Sequence, residues 1–154
     1  MISQLIHDCR EPLLIVSYAA FGVTDVVREL GQAARRGVRI DLILESTANE
    51  GGALHGPIGA AAPFQDLRRD ATLWAWPAAR RPAIGTSRAA LHAKVVAADD
   101  RGALLGSANL TDKALALNLE VGVILRDPGV VHRLVSHFRS LMKPGTRPLE
   151  RVLD

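Results

Sequence analysis

Four side chains in the stretch LHAKVVAADDRGALLGSANLTD have the types and spacing to act together on one group. His92 and Lys94 stand two apart in an apolar, β-branched run. On a strand they share a face, while Leu91, Ala93 and Val95 point the other way. Ser107 and Asn109 repeat that spacing just past a second apolar run, and Asp99-Asp100-Arg101-Gly102 between the runs is a hairpin signal. Gathered at the ends of neighbouring strands, these residues offer one nucleophile or proton carrier, one fixed cation and two neutral hydrogen-bonding groups. Such a set fits a tetrahedral anion that gathers charge as it reacts, which is a phosphoryl group. Gly106 is expected to let the backbone approach a ligand closely.

The elements that must position these residues read as α/β. Leu13 to Ala19 is a buried strand, and Thr24 is expected to cap a helix whose positive end is favoured by Asp25. Val26, Val27, Leu30, Ala33 and Ala34 recur at helical spacing until Arg35, Arg36 and Gly37 end it. Val38 to Glu45 is a second strand, so strand, helix and strand make a crossover and a parallel pair. Thr47 to Pro63, dense in Gly, Ala and Pro, reads as a mobile loop. A short helix over Phe64 to Asp70, a strand over Thr72 to Trp76 and an irregular Pro77 to Ser87 follow. Leu91 to Ala98, Ala103 to Ser107 and Leu119 to Leu125 are further strands. Pro128 opens a last helix with Val131, Leu134, Val135, Phe138, Leu141 and Met142 on one face. The expected architecture is a mixed β-sheet flanked by helices, one domain over residues 1–154 with no internal repeat.

Composition narrows the partners. The chain has 154 residues, 48% hydrophobic and 23% charged, which suits a globular protein with a real core. Aromatic residues make up only 4%, too few for a platform that stacks single-stranded bases. Nineteen Lys and Arg against 16 acids give a net charge of +3, which permits a polyanionic partner without demanding one. Cys9 is the one cysteine, so an internal disulfide is excluded and a small buried side chain is expected. The apolar N-terminal run is interrupted by Asp8, Arg10 and Glu11, so neither a signal nor a span is expected and a cytoplasmic location follows by default. His132 and His137, five apart on a helix, do not share a face and suggest no metal site.

His92, Lys94, Asp99, Gly106, Ser107 and Asn109 meet every position of His-x-Lys-x4-Asp-x6-Gly-Ser-x-Asn, and Glu120 follows Asn109 by eleven residues. This pattern resembles the signature of the phospholipase D superfamily, including its acidic residue. The resemblance implies that His92 attacks phosphorus to form a phosphohistidine and that a second histidine protonates the leaving oxygen. It implies that Lys94 and Asn109 hold the non-bridging oxygens, that Ser107 adds a hydrogen bond, and that Glu120 accepts from the His92 ring and fixes its tautomer. Asp99 is more structural than chemical in that family. No cofactor is implied, and no carboxylate cluster at ligand spacing suggests a metal.

The chain departs from larger family members in carrying one motif, since His7, His55, His132 and His137 all lack a Lys two residues on. A second copy of the chain would supply the other histidine, as in the small bacterial nucleases with a single motif. The run SANLTDKALALNLEVGVIL also resembles the phospholipase D-like component of phage-defence systems, which implies other defence proteins as partners. The expected function is therefore a metal-independent endonuclease acting on DNA, with RNA as a second candidate. Arg68, Arg69, Arg80, Arg81 and Arg88 are candidates for lining a groove along the phosphate backbone. The alternatives are a phospholipase or phosphatidyl transferase, and a module that binds nucleic acid without cutting it. Without an amphipathic or aromatic face in the sequence, a membrane partner is not expected.

Overall fold

The computed structural model describes every residue except Pro57, Thr146, Arg147, Leu153 and Asp154. Pro57 belongs to the predicted loop Thr47 to Pro63, and at that position the expectation lies outside the described residues. The chain begins with α1 (Ile2–Asp8), β1 (Leu13–Ser17), β2 (Ala20–Phe21), α2 (Thr24–Arg35), β3 (Ile40–Leu44) and β4 (Ala71–Ala75). A small hairpin of β5 (Ala83–Ile84) and β6 (Ser87–Arg88) leads to β7 (Val95–Ala98) and β8 (Gly102–Gly106). Then come β9 (Leu110–Thr111), α3 (Asp112–Ala116), β10 (Gly122–Leu125), α4 (Pro128–Leu141) and β11 (Glu150–Arg151).

The main sheet has the strand order β10-β8-β7-β1-β3-β4-β11. β1, β3 and β4 run parallel, and every other pair in the sheet is antiparallel. Helices flank both faces, as expected for a mixed α/β sheet. All five residues of β1 are buried because both of its faces are covered. Leu13 and Ile15 pack with Ile6 of α1 and with Val26, Leu30 and Ala33 of α2. Leu14 and Val16 pack on the opposite face with Val131, Val135 and Phe138 of α4. Each such side chain contributes roughly 1.5–3 kcal/mol on burial.

Several local expectations need correction. Thr24 is the first helical residue of α2, and Val23 occupies the cap without a side-chain bond; Asp25 does lie in the first turn. Helix α1 was not anticipated, because seven residues are too few to carry a clear period. It persists through tertiary contacts, with Ile6 in the core and Arg36 donating to the carbonyl of Ile6 in its last turn at 3.0 Å. The predicted helix Phe64 to Asp70 is a 3-10 segment over Ala62–Leu67. The predicted strand Leu91 to Ala98 is regular only from Val95, where its partner β1 runs out: Val16 pairs with Val95 as the last rung. In α4, Asp127 accepts from the backbone N–H of Val130 at 2.8 Å and Pro128 follows at once, giving the expected start.

The turn between β7 and β8 is a fastening point. Asp99 and Asp100 have φ of 56° and 51°, the left-handed region that Asp tolerates better than most residues. The Asp99 carboxylate accepts from the backbone N–H groups of Arg10 at 2.9 Å and Glu11 at 2.7 Å, and from Cys9 Sγ at 3.2 Å. Asp100 pairs with Arg139 of α4 at 2.8 Å. Burial, reinforced by Asp99, pushes the Cys9 thiol up to about 12, so Cys9 is an inert buried side chain.

Burial alone would raise the Asp99 carboxyl, but the N–H groups of Glu11 and Arg10, the Cys9 thiol and the Arg101 charge outweigh it and hold it low. A depressed folded pKa gives stability that is present above the unfolded value of about 3.9 and is lost as pH falls through the folded one. Asp99→Asn keeps the left-handed turn but not the charge. It should cost about 1–3 kcal/mol at neutral pH by urea unfolding. It should also lose part of the acid dependence below about pH 4. An acid slope identical to wild type would contradict this role.

Candidate active site

Antiparallel pairing brings the predicted residues to one end of the sheet. Val95 pairs with Leu105, so His92 and Lys94 at the entry to β7 meet Ser107 and Asn109 at the exit from β8. Gly122 pairs with Gly106, which sets Glu120, just ahead of β10, beside Ser107. The amino end of β7 also adjoins the carboxyl end of β1, where Tyr18 follows the last strand residue.

Lys94 Nζ lies 3.0 Å from His92 Nδ1 and 3.2 Å from Nε2, and it donates to the His92 carbonyl at 2.9 Å. The expected side-by-side placement therefore survives although both residues precede the regular strand. The His92 ring packs against Tyr18 with centroids 5.1 Å apart, and Lys94 Nζ is 5.7 Å from the Tyr18 ring centre. Tyr18 was missed from sequence; its signal was the chain's single Tyr placed at the end of a buried strand. Its hydroxyl donates to the Ala53 carbonyl at 2.8 Å and so ties the Thr47 to Pro63 loop to the site. Ser17, also missed, is a buried hydroxyl that accepts from the N–H of Leu110 at 3.2 Å and donates to the Ala19 carbonyl at 2.7 Å. It seats the residue after Asn109.

Ser107 donates its hydroxyl to Glu120 and accepts from the N–H of Val121 at 3.1 Å. Asn118 donates to the other Glu120 oxygen at 3.1 Å. The bond from Ser107 and then that from Asn118 hold the Glu120 carboxyl below its ordinary range against desolvation, and the Lys94 charge adds least. Glu120 is thus engaged with Ser107 and Asn118, and among the described residues it makes no bond to His92 within the same protomer. Burial lowers the Lys94 pKa, and the Glu120 charge opposes that fall. The side-chain oxygen of Asn109 is buried with no hydrogen-bond partner, an unmet acceptor at the site. A Cβ on Gly106 would stand 3.0 Å from the Val121 carbonyl oxygen just ahead of β10, closer than an ordinary contact, so the close approach of the backbone there also serves the strand packing.

The predicted arginine groove does not hold as a set. Arg81 is buried and paired with Glu45, which removes it from any surface. Arg80 pairs with Glu150 at 2.5 Å, while Arg88 is exposed on β6 and donates to the Ala78 carbonyl at 3.3 Å. The apolar neighbours of Glu120 are equally unexpected. Leu117, Leu119, Val121 and Val123 alternate along the chain and are 80%, 102%, 75% and 59% exposed. They form a bare apolar stripe running onto the edge strand β10. Among the described residues, no group of three or more His, Cys, Asp or Glu is placed to hold a metal ion.

Removing the Glu120 charge should lower Lys94 further, because that charge is what opposes the effect of burial. NMR titration of the Lys94 side chain in Glu120→Gln should give a lower pKa than in wild type. An unchanged or raised value would show that the two groups do not sense each other.

Residues 2–142 match the family model described as the cardiolipin synthase, PLD-like domain. The chain is 32% identical over 153 residues to cardiolipin synthase B of Escherichia coli, covering 97% of this chain and 33% of that protein. It therefore spans about a third of the length of that relative. It is 23% identical over 126 residues to the DISARM protein DrmC of Bacillus paralicheniformis, covering 81% of this chain and 48% of that one. Among solved structures, Nuc of Salmonella typhimurium, a phospholipase D family member, superposes with a TM-score of 0.70 at 18% identity, covering 99% of this chain and 89% of that one. The fold, the complete His-x-Lys signature and the family match together make this chain a member of the PLD-like domain family within the phospholipase D superfamily.

Proposed function

We propose that the chain is a phosphodiesterase that cuts nucleic acid, DNA first and RNA second, with a reaction centre shared by two copies. The observation that carries this reading is the Lys94 ammonium within 3.0 Å of the His92 ring, beside Ser107 and Asn109. A phosphate oxygen held by Lys94 would bring phosphorus within reach of His92. The ring nitrogen attacks phosphorus, the bond to the leaving oxygen breaks, and that oxygen takes a proton from the partner subunit's His92. Water then attacks the phosphohistidine, gives its proton to that same partner histidine and frees His92. Lys94 and Asn109 carry the charge on the non-bridging oxygens, and Ser107 holds Glu120 beside them.

Two features support pairing. Within one protomer Glu120 is bonded to Ser107 and Asn118 and not, among the described residues, to His92, and no other His-x-Lys occurs in these 154 residues to donate a proton. The exposed side chains of Leu117, Leu119 and Val121 flank Glu120 and lead to exposed Val123 on the edge strand β10, the kind of surface a monomer seldom leaves bare. The net charge of +3 and the exposed Arg88 suit a phosphate backbone. The likeness to DrmC supports service beside other defence proteins.

The same stripe also favours a second reading, in which it contacts acyl chains and the substrate is a phospholipid headgroup. The likeness to cardiolipin synthase B points the same way. Among the described residues no helix is long and apolar enough to cross a membrane.

Purified protein should be incubated in EDTA with plasmid DNA, single-stranded DNA, RNA and phosphatidylglycerol vesicles. The nucleic-acid reading predicts nicked plasmid in chelator, intact vesicles, and no cleavage by folded His92→Ala. Headgroup release with DNA untouched would establish the lipid reading. Activity lost in chelator and restored by magnesium would refute the metal-independent chemistry.

A further inference from the structure

The mechanism above leaves unused one buried pair of charges. Glu45 immediately follows β3, and Arg81 lies in the excursion between β4 and the site. Both side chains are 0% exposed and are joined through two guanidinium nitrogens and two carboxylate oxygens. Burying an ion pair costs desolvation that apolar residues of the same size avoid, so stability is a weak reason for its presence.

The remaining bonds of the pair suggest what it does. Arg81 Nε donates to the Trp76 carbonyl at 2.8 Å, and Arg81 Nη1 donates to the Ala89 carbonyl at 2.9 Å. Glu45 Oε2 accepts from the N–H of Leu91 at 2.7 Å, and Oε1 accepts from that of Ser46 at 2.7 Å. The pair therefore clasps the entry of the excursion at Trp76 and its exit at Ala89 and Leu91. Residues 89–94 have no regular secondary structure, so no ladder of strand bonds fixes the backbone that carries His92. Leu91, the residue before His92, is held instead by its buried side chain and by its N–H on Glu45.

We infer that Glu45 and Arg81 are positioning residues for His92. They set the backbone from which the imidazole is presented to Lys94 and to phosphorus. This rests on the reading of His92 as the attacking group. Attack demands a narrow geometry, and a misplacement of about 1 Å from a distant change can cost about 100-fold in rate.

The test replaces the pair together, Glu45→Gln with Arg81→Met, so that no lone charge is left in the core. Hydrolysis of bis(4-nitrophenyl) phosphate, thermal melting, exchange of the Leu91 amide and the NMR signals of the His92 ring would be compared with wild type. The folded variant should lose at least about 10-fold in kcat with KM changed by less than about twofold, because ground-state contacts are untouched. Its Leu91 amide should exchange at least about 10-fold faster as its acceptor weakens, and the His92 ring should lose its contacts with Tyr18. Wild-type kcat and an unchanged His92 ring in a folded variant would overturn the inference. If the paired variant does not fold, Arg81→Lys keeps the cation but loses the fork, and wild-type kcat there would overturn it equally. If wild type cleaves no phosphodiester, the functional reading fails, while Leu91 exchange and the His92 ring signals still decide the positioning.

Discussion

β1 faces its two neighbours in opposite senses, parallel to β3 and antiparallel to β7, and the site depends on that change of direction. The carboxyl ends of β1 and β3 and the amino end of β7 consequently open onto one end of the sheet. Tyr18 leaves β1 there, Glu45 leaves β3 there, and His92 and Lys94 arrive there before β7. The two antiparallel pairings beyond β7 then return Ser107, Asn109 and Glu120 to the same place. No residue of the set needs a long reach, because each occupies the first few positions outside a strand.

What the sheet cannot do is hold residues that lie beyond its last rung. Each is therefore tied down by a side chain. Ser17 seats the backbone after Asn109, Asp99 pins the far turn of the hairpin to residues 10 and 11, and Glu45 holds the N–H before His92. Ser17 and Glu45, buried for this purpose, have their partners, whereas the Asn109 oxygen is buried without one at the site itself.

Much of this was legible in the sequence, for identifiable reasons. The two-residue spacings of His92 with Lys94 and of Ser107 with Asn109 reflect strand geometry directly. The Asp99 to Gly102 turn fixes how the strands return, and the run LLIVS reads as a strand covered on both faces. The rest was hidden because it depends on tertiary context. Arg81 reads as a surface cation until Glu45, 36 positions away, removes it from solvent. Leu117, Leu119, Val121 and Val123 carry the alternation of a buried strand, and alternation says which residues share a side without saying what covers it. Glu120 was expected on His92 because family spacing places it nearby, yet the local bonds to Ser107 and Asn118 claim its oxygens.

If two copies share one reaction centre, as proposed, mixing subunits tests it most directly. Wild-type and His92→Ala chains would be combined equally, allowed to exchange partners, and assayed on DNA. About a quarter of the dimers would then be wild-type pairs if partners assort at random. A dimer with one His92 has either the attacking group or the proton donor, so turnover should fall to about half of that given by the same wild-type protein unmixed. Undiminished turnover with exchange demonstrated would mean that each chain works alone.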